Sequence, residues 1–317
     1  MIDTRSQSDT ALPTGTATGR IALTVLRRRV RGTGGELLRI LLQDPFGRIG
    51  AGILVFFVLL AMIAPFIATF DPWANNYRPD GSLARLDGIS STHLLGTTIY
   101  GQDVFSQLVL GTKQTILVGV VSAVLIGFIG TNIGLVSGYF GGLIDNVLMR
   151  ITDFFYAIPF LPFMMVVVAL IDRSLPVIIA SMAFIFWRTA ARVVRAQVLT
   201  LKTRPYIMAA RASGAGHLRI MYVHILPNVL PLGCLYLIFG AAWAILSESS
   251  LSFIGLGDPN RLSWGLMLNQ AFATGSIRYA WWWVVPPGMA LMLFLVGLYF
   301  LGRGFEERAN PRLRERK

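Results

Sequence analysis

The sequence predicts an all-α, polytopic membrane protein with six transmembrane helices, and three observations support this. The 317 residues are 54% hydrophobic and only 14% charged, with a mean hydropathy of +0.62, which is too apolar for a soluble domain of this size. The apolar residues fall in long blocks rather than along one helix face. Lys and Arg concentrate in the connections that a six-span chain would leave on one side of the membrane. The net charge of +12 does not point to nucleic acid, because the basic residues sit between apolar blocks, with no zinc-finger spacing and no RNA-binding aromatic signature. The single cysteine, Cys234, lies inside an apolar block, so neither a disulfide framework nor a metal cluster is expected.

Residues 1–48 read as an N-terminal arm. Its first part is rich in Ser, Thr, Ala and Gly and is expected to be disordered, and its second part is basic, with Arg27, Arg28, Arg29 and Arg31 clustered. The first span is expected at 49–70, long enough for a hydrocarbon core of about 30 Å and without a charge. A polar connection follows to about residue 113, and then a second span at 116–136. Gly130, Gly134, Gly138 and Gly142 recur every fourth residue, the pattern of a close helix-packing seam. The third span, 154–171, contains Pro159 and Pro162 as expected kinks, and a very short turn leads into the fourth, 175–191. The fifth covers 229–248 and the sixth 281–301, where Trp281, Trp282 and Trp283 suggest an interfacial anchor. A basic tail, 303–317, completes the chain.

Orientation follows from charge. The arm carries eight Lys and Arg, residues 187–228 carry seven with no acid, and the tail carries six, so both termini and the 192–228 loop are expected in the cytoplasm of a plasma (inner) membrane protein. Within that loop Thr203 is a candidate cap for a short helix with Pro205 in its first turn, and the small residues Ala209, Ala210, Ala212 and Ser213 lead to a stop at Gly214. A short, nearly smooth helix ended by a sharp turn has the shape of a docking element.

This stretch resembles the EAA loop of ABC-transporter permeases. Ala209, Ala210, Gly214, Leu226 and Pro227 match its spacing, while Met208 stands where the family has Glu and His224 where the general pattern has Ile. The run HILPN (224–228) is similar to the dipeptide, oligopeptide and nickel branch, as are HLLGT (93–97) with GQDVF (101–105), ESSLSFIGLG (248–257) and WGLML (264–268). The resemblance extends over about residues 45–312.

It implies a type I ABC importer permease fold with a cytoplasmic coupling helix. The implied ATPase-docking set is Tyr206, Met208, Ala209, Ala210, Arg211, Gly214, Ala215, Leu226 and Pro227. The implied partners are a second permease subunit, cytoplasmic ATPases and an extracytoplasmic solute-binding protein, with peptides or similar small solutes as cargo. ATP and magnesium would be used by the partner ATPases, since this chain has no G-x-x-x-x-G-K-[ST] phosphate cradle, and no cofactor of its own is expected.

Other chemistry has little support. His93, His217 and His224 are scattered, with no H-E-x-x-H pair, so neither a metal site nor an enzyme is expected. Arg150 and Asp153, three apart, are expected to pair with each other as an interfacial pair or a gating contact. Glu248 either faces a path or bonds to the serines that follow it. Asp103 and Trp264 belong to segments that either meet a delivery protein or cap the helices. The alternative function is a self-sufficient secondary transporter or channel driven by an ion gradient, which would need functional charges within its spans.

Overall fold

The computed structural model describes residues 44–309, and every regular element in that range is helical, with two isolated β bridges in the 71–103 connection. Of the expected arm only residues 44–48 are described, and of the tail only 303–309; the rest lies outside the described residues. Helix α1 (Pro45–Ile67) starts earlier than expected because the Asp44 carboxylate accepts the Gly47 amide at 2.7 Å and Pro45 needs no donor partner in the first turn.

Helix α2 (Val104–Phe140) is 37 residues long, about 55 Å at 1.5 Å per residue. It begins at Val104 rather than at 116. Asp103 caps it by accepting the Ser106 amide at 2.8 Å, and Gln107, Thr112, Gln114 and Thr115 are buried against protein rather than facing water. Polar residues that resemble an aqueous connection in the sequence are here the inward face of a helix.

The expected third span is two helices, α3 (Gly142–Ala157) and α4 (Phe160–Leu170), bent by 86°. Ile158, at φ −81° and ψ 116°, is extended, as the ring of Pro159 requires of the residue before it. Among the described residues five helices are individually long and apolar enough to cross a membrane, and the count is six if the bent pair is one broken span. Helix α5 (Leu175–Leu201) continues past the expected end at 191.

The short α6 (Pro205–Ala212) precedes a 37-residue rod, His217–Phe253. The rod consists of α7 (His217–Arg219), a π segment (Ile220–Ile225) and α8 (Leu226–Phe253). Pro227 lacks an N–H, and its ring would crowd the carbonyl of the turn before it; a widened π turn is one way a helix accommodates this. Helix α9 (Trp264–Ala273), a 3-10 turn (Ser276–Arg278) and α10 (Trp281–Ala309) complete the described chain.

The bundle closes on a glycine seam between α2 and α5. A methyl group on Gly134 would stand 2.5 Å from the Ala191 carbonyl oxygen, and one on Gly130 2.7 Å from that of Trp187. One on Gly138 would meet Val198 Cβ at 2.7 Å. Such close backbone approach is how helices attract each other where lipid removes the hydrophobic driving force. Gly142 lies beyond the seam, after α2 has ended, with nothing within 4 Å of an added Cβ.

At the end opposite α6, Phe57, Trp264 and Phe294 meet edge to face, and Trp264 donates from Nε1 to the Leu108 carbonyl at 3.1 Å. The three consecutive tryptophans do not act together as an anchor. Steps of about 100° turn them to different faces, leaving Trp281 exposed, directing Trp282 Nε1 to the Thr97 carbonyl at 3.3 Å and burying Trp283 fully. Asp103 and Trp264 are likewise fully buried, so they cap the helices from within. Asp103 also holds His93 Nδ1 at 2.9 Å.

Candidate functional site

The site is built at the end of α5. Lys202 closes that helix and sends Nζ to the Gly138 carbonyl at 2.8 Å, tying the exit of α5 to the last turn of α2. Thr203 does not cap α6; its hydroxyl donates back to the Thr200 carbonyl at 3.1 Å, and Arg204 is the extended residue before Pro205. With proline at the first helical position, one orphan donor is already absent, and the helix starts without a side-chain cap.

Helix α6 ends in a Schellman motif. The Ala215 amide donates to the Ala210 carbonyl and the Gly214 amide to the Arg211 carbonyl, each at 3.0 Å, with Gly214 at φ +78°. An added Cβ at Gly214 would touch nothing within 4 Å, so glycine is favoured there for its left-handed backbone and not for space.

One side chain anchors α6 to the bundle. Ile207 is fully buried, packed in a cluster with Val194, Val198, Ile220, Met221 and Ile225. The remaining face is open: Tyr206 is 45% and Met208 56% exposed, and Ala209, Arg211 and Gly214 are exposed as well. Ala210 and Ala215 are half-buried at its edge. Leu226 and Pro227 are half-buried and do not join this surface; they form the junction where the π segment passes into α8. Arg211 lies 5.9 Å from the Tyr139 ring, and the Tyr139 hydroxyl meets His217 Nδ1 at 2.9 Å.

Beneath the loop lies an ion pair that the sequence did not disclose. Asp145 of α3 receives Arg195 of α5 at both oxygens, Nε to Oδ1 at 2.5 Å and Nη2 to Oδ2 at 2.6 Å, and the Ser137 hydroxyl donates to the same carboxylate. The pair fixes the turn between α2 and α3 to the last turns of α5, beside the glycine seam. The only sequence signal was one acid after an apolar block.

The other candidate residues lie apart from α6. Asp153 pairs with Arg192 of α5 at 2.7 Å rather than with Arg150, because α5 brings a guanidinium against the exposed face that both residues share. Among the described residues Arg150 has no acidic partner within 4.0 Å. Glu248 is 3% exposed and accepts the Ser252 hydroxyl at 2.7 Å through Oε1, while Oε2 is buried without a hydrogen-bond partner among the described residues. It adjoins the seam where Ser249 and Ser252 meet Gly265 of α9.

Comparison with known proteins places this geometry. The family model described as "Binding-protein-dependent transport system inner membrane component" matches residues 130–315, which contain α6, its turn and the π segment. The chain belongs to this family. A second model, the N-terminal TM domain of oligopeptide transport permease C, matches residues 34–84. The chain is 33% identical over 276 residues to the dipeptide transport system permease protein DppC of Haemophilus influenzae, covering 86% of this chain and 92% of that protein. It is 32% identical over 274 residues to the oligopeptide transport system permease protein OppC of Bacillus subtilis, covering 86% and 88%. The probable D,D-dipeptide transport system permease protein DdpC of Escherichia coli matches at 32% over 287 residues, covering 90% and 94%.

As a member of this family, the chain is a multi-pass membrane protein and the permease subunit of an ABC importer, whose ATPase is a separate subunit. Membership supports this permease role and not a gradient-driven carrier.

Proposed function

We propose that this permease forms half of the path for peptides or similar small solutes, and that α6 seats in a groove of a cytoplasmic ATPase. The cargo class is supported by relatives named as dipeptide and oligopeptide permeases. The orientation is supported by the seven Lys and Arg and no acid in residues 187–228, which assign the loop and both termini to the cytoplasmic side of the plasma (inner) membrane. The other half of the path is a second, different permease subunit. An extracytoplasmic solute-binding protein delivers cargo, and the ATPases use ATP and magnesium.

The observation that supports this best is the form of α6: a short helix held to the bundle by Ile207, with its opposite face exposed and its end fixed by the Gly214 turn. A groove closing on that face would pull on Ile207, and through its cluster on Val194 and Val198 of α5 and Ile225 of the rod. Movement of the ATPases would thereby reach the spans. Arg150, Asp153 and Glu248 fall outside this chain of contacts and are assigned structural roles.

Gly214→Val tests the reading. A left-handed conformation costs an L-residue about 1–2 kcal/mol, more for a β-branched one, so the turn reorients and the docking face is displaced. The expected result is normal abundance in the membrane with loss of ATP-dependent uptake. Unimpaired uptake at normal abundance would sink the docking role.

A further inference from the structure

Between α2, α5 and α8 the bundle encloses a cavity of about 340 Å³. Arg188 and Thr189 of α5 form its polar wall, and Tyr236, Phe239 and Trp243 of α8 form an aromatic wall. Among the described residues Arg188 is the only charged one lining it. Thr189 is exposed and Trp243 is 62% exposed, so one side is open, while Gly240 packs against Ile126.

Arg188 lies midway along α5 and near the inner end of the span expected at 175–191, where a guanidinium that is drawn into the bundle needs a partner. Nη1 donates to the Phe155 carbonyl at 2.8 Å, and the guanidinium lies 4.8 Å from the Tyr156 ring centre. The carbonyl is available because Pro159, four residues on, has no N–H to offer it. A neutral carbonyl is a weak partner for a planar five-donor fork, and a carboxylate binds the same fork in two parallel, charge-assisted bonds.

We propose that this cavity is a transit site for the carboxyl end of a passing peptide, with Arg188 holding the carboxylate and the α8 aromatics taking the adjacent side chain. A peptide C-terminus presents that combination, an anion one bond removed from a side chain, and the wall supplies both complements. The proposal rests on the reading of the chain as half of a peptide path. An anionic lipid headgroup offers the same charge through phosphate oxygens, and the test separates the two.

The probe is the dipeptide alanyl-p-benzoylphenylalanine, as the free acid and as the C-terminal amide. Each is irradiated with the purified complex of both permeases and the ATPases, without solute-binding protein, and labelled peptides are mapped by mass spectrometry. The expected result is labelling within residues 236–243, at least tenfold stronger for the acid than for the amide. Arg188→Gln, which removes the charge and keeps a polar side chain, is expected to lose that preference, and Arg188→Lys to keep most of it. Equal labelling by acid and amide in the wild type, acid labelling confined to other segments, or a preference that survives in Arg188→Gln would overturn the proposal. So would native mass spectrometry showing that phospholipid bound to the wild type and absent from Arg188→Gln is not displaced by the acid. ATP-dependent uptake of dialanine by the same complex in liposomes is scored separately. Uptake without acid-selective labelling defeats the transit site alone, and absence of ATP-dependent uptake defeats the underlying reading.

Discussion

Asp145 is 8% exposed, and a carboxylate so placed depends on its partner. Arg195→Ala leaves the charge buried and is expected to cost about 3–5 kcal/mol, whereas removing both charges in Asp145→Ala with Arg195→Ala costs less than either single change added to the other. Thermal unfolding of the detergent-purified protein reads this, and strictly additive losses would show that the two side chains do not act as a pair. Met208 gives the opposite expectation. It is 56% exposed, so Met208→Glu should leave ATP-dependent uptake within about twofold of the wild type. A severe loss at normal abundance would show a partner surface adapted to the apolar residue. Met208 and Gly214 were legible in the sequence because the loop's spacing is local. The Asp145 and Arg195 pair was not, since the residues stand 50 apart and no periodicity connects them.

Among the elements, the α2–α5 seam is the most sensitive. Gly134→Leu has no room, with the Ala191 carbonyl 2.5 Å from an added Cβ, and the protein is expected not to accumulate in the membrane. Gly52→Ala meets nothing within 4 Å in α1 and is expected to be neutral or stabilising by roughly 0.5–1 kcal/mol. Immunoblots of membrane fractions compare the two, and equal abundance would contradict the packing described. The four-residue spacing of Gly130, Gly134 and Gly138 revealed the seam in the sequence, but not that α5 fills it. Pro159 and Pro162 suggested a kink but not an 86° break, because the angle depends on what packs against α3 and α4. The start of α2 was hidden for a different reason. Gln107, Thr112, Gln114 and Thr115 read as an aqueous connection, and only tertiary burial shows them facing protein.

At the scale of the molecule, composition and apolar blocks pointed to a polytopic membrane protein of six spans because a bilayer imposes length and polarity on every span, while the permease reading came from the resemblance of the loop and its companion motifs. Which polar residues line a path was not legible, since that depends on helix rotation and on a partner subunit. Arg188 was passed over in the sequence as one more basic residue of the 187–228 stretch, and its place beside the aromatic wall appears only when α5 and α8 are packed. The central claim is that the exposed face of α6 lies against an ATPase. The measurement that tests it most directly is photocrosslinking from p-benzoylphenylalanine installed at Met208, in membranes of cells that make the whole transporter. Phe128, also exposed but on α2, serves as the control position. Docking predicts an ATP-hydrolysing subunit covalently joined to this chain from position 208 and not from 128, identified by mass spectrometry. An ATPase that copurifies with the chain but never crosslinks from 208 would contradict it.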